Sequence, residues 1–114
     1  MDPIFFETGA STLTQQAKLV VDRFAETFGH YPNYRLVLHG YASPTGTSEA
    51  NLELSRRRAG SIAQYLIRVH GVQGGRINIV AHGDKEPLPR KPGEPDQDWL
   101  ERNQRTEFVL VKEK

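Results

Sequence analysis

Short β-prone runs alternate along this chain with longer stretches of helical period, and glycines close most of the segments. Ile4-Phe5-Phe6 reads as a strand ended by Thr8-Gly9. Leu13, Ala17, Val20, Val21, Phe24 and Phe28 then recur mostly at spacings of three and four, which is one buried face of an amphipathic helix. Ser11 or Thr12 is its expected cap, with Gln15 completing a capping box after Thr12; Gly29 stops it, and Pro32 sits just beyond. Arg35–His39 is a second strand ending at Gly40, and Tyr41–Thr47 is a loop by its Pro, Gly and hydroxyl content. Ser48 is the expected cap of a second helix, whose stripe is Leu52, Ser55, Ala59, Ile62, Ala63 and Leu66, extended by Val69 and ended at Gly71. Ile77, Ile79 and Ala81 alternate with Asn78 and Val80 in a third strand closing at Gly83, and Thr106–Val111 is the last. The order is β-α-β-α-β, then a short helix and a strand. It predicts an α/β two-layer sandwich with helices packed on a sheet.

The length of 114 residues fits one domain, taken as 1–114. A chain of this size buries roughly two-thirds of its unfolded surface, enough for a core without staples. Residues 84–98 hold four of the seven prolines and no periodicity, and so predict an extended loop, with Asp96 or Asp98 capping a single helical turn through Trp99 and Leu100 that pins the loop to the core. A net charge of +1 excludes a strongly basic nucleic-acid binder. The absence of cysteine excludes thiol catalysis, disulfides and thiolate metal sites. No apolar run approaches the ~18 residues of a membrane span. The first residues, Met1 to Glu7, lack the basic and long apolar regions of a secretory signal. The expectation is a cytoplasmic chain, one exported by another route, or a domain of a longer protein.

Chemistry-bearing patterns are few. His39 and His82 both stand at predicted strand ends before a glycine, so their rings approach if those strands are neighbours; hydrogen bonding, rather than a metal, is the expected use. No serine lies in a G-x-S-x-G elbow, and Gly74-Gly75 precedes a strand instead of opening a helix. Asp84 and Glu86 are not placed across any cleft. Arg56-Arg57-Arg58 spreads over roughly 200° of a helix and forms no single basic patch. Arg58, next to Ala59 on the apolar side, is the one that points to the sheet edge or the 40–47 loop, where a planar guanidinium suits a ligand carboxylate.

Leu38-His39-Gly40-Tyr41-Ala42-Ser43-Pro44-Thr45-Gly46 followed by Asn51-Leu52-Glu53-Leu54-Ser55-Arg56-Arg57-Arg58-Ala59 resembles the OmpA-like C-terminal domain family. That family carries a pattern like G-H-T-D-x-x-G and then N-x-x-L-S-x-x-R-A. Phe6 to Ser11, Ala81-His82-Gly83-Asp84-Lys85-Glu86-Pro87 and Asn103-Gln104-Arg105-Thr106-Glu107-Phe108 resemble three further blocks in the family's order. The resemblance implies a mixed sheet and non-covalent binding of peptidoglycan through the diaminopimelate of its stem peptide. It implies that Arg58 holds the ligand carboxylate and that Asn51 supports the loop or ligand. The family's Asp, which pairs with the ligand ammonium, falls on Ser43. Tyr41 and Ala42 replace the usual His and Thr, and Gln104 replaces the first Arg of an N-R-R block whose second is Arg105.

The expected ligand-binding set is therefore Ser43, Asn51, Arg58, Tyr41, Ala42 and Arg105, with no catalytic residue, metal or cofactor. Loss of the Asp charge is expected to weaken binding by roughly tenfold to a hundredfold, and Ser43→Asp to recover about 1–2 kcal/mol. Glu49 and Asp84 are the candidates for a substitute carboxylate. The implied role is a non-enzymatic cell-wall module in the periplasm, with the peptidoglycan stem peptide as partner. No nucleic acid and no membrane contact by the domain itself are expected. The alternative is an OmpA-like domain that no longer binds glycan and docks other envelope proteins in a larger assembly.

Overall fold

The computed structural model describes residues 3–113; Met1, Asp2 and Lys114, the ends of the expected domain, lie outside the described residues. The first strand, β1 (Ile4–Phe5), is shorter than its apolar run, although the Phe6 N–H still donates to the Gln104 carbonyl at 2.9 Å. Helix α1 (Gln15–Phe28) begins later than expected. Thr14 caps it, in place of Ser11 or Thr12, by accepting from the Ala17 N–H at 3.0 Å. The Ser11 carbonyl is held instead by the Ser61 hydroxyl at 2.6 Å, and Leu13 is buried ahead of the helix, so the chain turns helical only after both are anchored.

Strand β2 (Tyr34–Tyr41) runs through Gly40 without stopping there. Gly40 is needed for packing: a Cβ on it would lie 2.2 Å from the Ser55 carbonyl oxygen of the helix above. That helix, α2 (Ser48–His70), is capped by Thr47, whose hydroxyl accepts from the Ala50 N–H at 3.2 Å; Ser48 is its first residue. Gly71 ends it in the left-handed region, φ 68°, a common helix stop. A short 3₁₀ turn at Gly74–Arg76 leads into β3 (Ile77–Gly83).

The expected 84–98 loop is irregular only as far as Pro95. Its last three residues belong to α3 (Asp96–Asn103), eight residues where a single turn was expected. Neither Asp96 nor Asp98 is the cap; both sit in the first turn, where their charges favour the helix dipole. A Gln97–Glu101 side-chain hydrogen bond at 3.0 Å adds to it. Polar pairs therefore sustain this helix, and an apolar period had nothing to show. Trp99 is half-buried and pins the loop to itself more than to the core: its Nε1 donates to the Leu88 carbonyl at 2.6 Å, and the Arg90 guanidinium lies 4.3 Å over its ring. Strand β4 (Arg105–Lys112) follows.

The four strands form one mixed sheet in the order β1-β4-β2-β3. β4 is antiparallel to both neighbours, and β2 and β3 are parallel, joined by α2 as the crossover. α1 and α2 cover one face, where Leu36, Leu38 and Phe108 meet Val21, Phe24, Phe28, Ile62 and Leu66. Each such fully buried side chain contributes about 1.5–3 kcal/mol of transfer free energy. The other face carries the exposed Phe5, Val80, Val109 and Val111. Among the described residues no helix is long and apolar enough to cross a membrane.

Candidate functional site

Arg58 sits in the middle of α2 with 0% of its surface exposed, enclosed between the helix, the turn after β1 and the start of β4. Its Nε donates to the Ala10 carbonyl at 2.8 Å and its Nη2 to the Glu7 carbonyl at 3.0 Å. Nη2 also donates to the Gln104 side-chain oxygen at 2.5 Å, and Nη1 reaches the Tyr41 carbonyl at 3.5 Å. The Phe6 ring lies 5.3 Å from the guanidinium. Among the described residues no carboxylate lies within 4 Å of it. Burial, and then the charge of Arg57, pull its pKa down to about 10, so the side chain is still cationic at neutral pH. A buried cation without a counter-ion is costly, and here only neutral dipoles offset the lost hydration.

The β2–α2 loop lies beside this guanidinium. Ala42 is buried, and its N–H donates to the Gly83 carbonyl at 2.9 Å. Ser43 is 4% exposed, and its hydroxyl donates to the Leu100 carbonyl of α3 at 2.7 Å. Asn51 holds the loop: its Nδ2 donates to the Thr45 carbonyl at 2.8 Å and to Asp84 at 3.0 Å. Asp84 also accepts from the Ser48 hydroxyl at 3.3 Å, so this carboxylate serves the N-terminus of α2, where the helix dipole favours it. Glu49 is exposed in the same turn. Arg56 pairs with Glu53 at 2.8 Å on the solvent side.

Tyr41 and Arg105 project to the other face of the sheet. The Arg105 guanidinium stacks 3.8 Å over the Tyr41 ring, and its Nε donates to Glu107 at 2.6 Å. Tyr41 stacks in turn on His82, centroids 4.6 Å apart, and His39 Nδ1 lies 2.8 Å from His82 Nε2, as neighbouring strands allow. Burial first, then the charge of Glu107, push the Tyr41 phenol above its ordinary pKa. The six expected residues thus fall into two groups. Arg58, Ala42, Ser43 and Asn51 form one around the loop, and Tyr41 and Arg105 form a stack behind it. The Tyr41 carbonyl, 3.5 Å from Arg58 Nη1, joins the two. Among the described residues no group of three or more histidines and carboxylates is arranged to hold a metal ion.

The partners that enclose Arg58 were not in the expected set. Glu7, Ala10 and Gln104 lie 46 to 51 residues away in sequence, and two of them act through backbone carbonyls that carry no side-chain signal. Glu7 and Ala10 lay within the Phe6 to Ser11 block with nothing to mark their contact to Arg58, and Gln104 stood out as a departure from an Arg-rich block.

The sequence profile of the OmpA family matches residues 5–99. A peptidoglycan-associated lipoprotein of Rhizobium meliloti is 37% identical over 87 residues, 76% of this chain and 49% of that protein. The chain spans about half the length of the curated relatives it matches. The crystal structure of the peptidoglycan-associated lipoprotein from Burkholderia pseudomallei shares the fold, with a TM-score of 0.84 at 22% identity over 97% of this chain and 91% of that one. The OmpA-like domain of FopA1 from Francisella tularensis superimposes with a TM-score of 0.80 at 26% identity, over 98% of this chain and 72% of that one. With 95 of its 114 residues (5 to 99) inside the profile and the mixed sheet of these structures, the chain belongs to the OmpA family.

Proposed function

We propose that this domain is a non-catalytic module that binds peptidoglycan non-covalently in the periplasm, by holding a stem-peptide carboxylate at Arg58. The observation that carries the reading is the fully buried guanidinium with neutral acceptors and no carboxylate partner among the described residues, at the position matching the family's carboxylate-holding Arg. Relatives named peptidoglycan-associated lipoprotein support it. Asn51 acts here through the loop, and Ser43 through its bond to α3. Tyr41 and Arg105 brace the loop from behind, and the ligand's partners on this chain are Arg58 and the turn after β1.

Co-sedimentation with purified sacculi tests it. Wild type is retained, amidase-treated sacculi stripped of stem peptide do not retain it, and Arg58→Lys, with one nitrogen in place of a fork, binds at least about tenfold more weakly. Equal retention on stripped sacculi would remove the stem peptide from the account. The Ser43–Leu100 contact favours a second reading, in which α3 closes the loop and the domain serves as a docking part of an envelope assembly. In that case intact sacculi retain nothing.

A further inference from the structure

Resting on the reading that Arg58 receives a ligand carboxylate, we infer that Gln104 is a built-in stand-in for that ligand: its carboxamide fills the place the carboxylate must take, and the site opens when this side chain swings away. The Gln104 oxygen accepts from Arg58 Nη2 at 2.5 Å, and its Nε2 donates to the Thr8 hydroxyl at 3.1 Å. Gln104 is 5% exposed. A planar group is thus gripped at both ends between a cation and a hydroxyl. A carboxylate has the same shape and can make both contacts, because a threonine hydroxyl donates as readily as it accepts. It would also bring the negative charge that Arg58 lacks, and charge-assisted bonds are roughly twice as strong as neutral ones.

The proposed exchange leaves the backbone in place. The backbone of Gln104 is fixed independently, its N–H on the Glu101 carbonyl at 3.1 Å and its carbonyl on the Phe6 N–H at 2.9 Å. Thr8, the far end of the grip, lines a groove of about 610 Å³ that runs between β1 and α3 past Phe5, Phe6, Asp98 and Glu101. A ligand in that groove reaches Thr8, the hydroxyl that holds Gln104. Gln104 therefore lowers the affinity of every ligand of the open site by the same factor, and the contrast between ligands comes from Arg58. A ligand offering a carboxamide exchanges like for like and gains nothing, while one offering a free carboxylate gains an ion pair. The site selects stem peptides with a free diaminopimelate carboxyl over amidated ones.

Calorimetric titration with a stem tripeptide ending in meso-diaminopimelate, as free acid and as amide, tests this on wild type, Gln104→Ala and Gln104→Glu. Wild type is expected to prefer the acid by about tenfold or more, Gln104→Ala to bind acid and amide each about tenfold more tightly with that preference unchanged, and Gln104→Glu to lose binding at least tenfold. Gln104→Glu is isosteric and gains an ion pair with Arg58, so it stays informative if the alanine variant does not fold. Unchanged affinity in a folded Gln104→Ala, or wild-type affinity in Gln104→Glu, overturns the inference while leaving stem-peptide binding intact. If no variant binds either peptide, acetate and acetamide titrations followed at the Arg58 Nε–H resonance decide. A shift with acetate alone, at lower concentration in Gln104→Ala than in wild type, upholds the stand-in and removes the stem-peptide reading. No shift in any variant overturns both.

Discussion

The hydroxyl of Ser43 donates to the Leu100 carbonyl at 2.7 Å, tying the β2–α2 loop to α3 across 57 residues of sequence. An aspartate in that place has no proton to offer at neutral pH and sets a buried carboxylate against a carbonyl oxygen. Ser43→Ala is expected to cost about 1 kcal/mol in urea unfolding, and Ser43→Asp about 2–3 kcal/mol. Because the carboxylate is the disfavoured form, its folded pKa is raised, and the aspartate's cost should shrink as pH falls toward the ordinary carboxylate value of about 4 and be gone below it. The affinity gain expected for Ser43→Asp requires the carboxylate to leave this contact and turn outward. A Ser43→Asp protein as stable as wild type at pH 7 would show that it does.

Gly40→Ala is expected to destabilise by about 3 kcal/mol or more, because the obstacle is the Ser55 carbonyl in the α2 backbone and no flexible side chain can give way. Gly60→Ala is the matched comparison. It lies in the same helix with nothing within 4 Å of an added Cβ, and should stabilise by about 0.5–1 kcal/mol. Thermal unfolding of the pair separates helix propensity from helix–sheet distance, and equal shifts of one sign would contradict the packing argument.

These glycines mark what was legible in the sequence. Gly71 and Gly83 closed their elements as expected, because a helix stop and a strand end are local events. The role of Gly40 was not legible, since its constraint is a helix that crosses it in space. α1 and α2 were plain from their apolar spacing, whereas α3 was held to one turn because Asp96, Gln97, Asp98 and Glu101 stabilise it by polar contacts. The approach of His39 to His82 followed from strand adjacency. The enclosure of Arg58 by Glu7, Ala10 and Gln104 did not, because nothing in a one-dimensional pattern brings two turns and a strand start onto one side chain.

Burial, and then the neighbouring His39, hold His82 below its ordinary pKa of 6.5; Glu86 and Glu107 oppose this, and Arg105 adds to it. The folded chain therefore takes up this proton at lower pH than the unfolded chain. Stability should fall as pH drops through 6.5 toward the folded value and level off below it. The loss should be absent from His82→Gln. Urea midpoints of the two proteins between pH 8 and 5 check this, and parallel curves would refute it.

Arg102 grips Glu94 through two bonds, 2.6 and 2.8 Å, and a third from Arg102 reaches the Pro89 carbonyl at 2.9 Å. Hydrogen bonds from Arg102, opposed by burial and helped by the Lys91 N–H, hold the Glu94 carboxyl down to about 2. Its contribution to the loop is present above the ordinary carboxylate value and is lost only as pH falls through about 2. Glu94→Gln should raise tryptic cleavage after Lys85 and Arg90 about tenfold at pH 8 with global unfolding little changed. Unchanged cleavage would assign the order of this loop to its other contacts, those of Trp99, of the Leu88 N–H with Asn103 and of Arg90 with Asp96.

β4 lies between β1 and β2 in the sheet and is the last strand in the sequence. During synthesis the middle of the sheet is thus the last part delivered. Until residues 105–112 emerge from the ribosome, β1 has no partner and β2 keeps one edge bare, the kind of edge that invites wrong pairing. Gln104 arrives at the same moment, so in every shorter nascent chain Arg58 lacks one of its acceptors. The parallel β2–α2–β3 unit can form earlier but waits for its neighbour. Chain length is in this way checked by the fold: a product cut before Arg105 is not a smaller version of the domain but an open sheet, exposed to proteases.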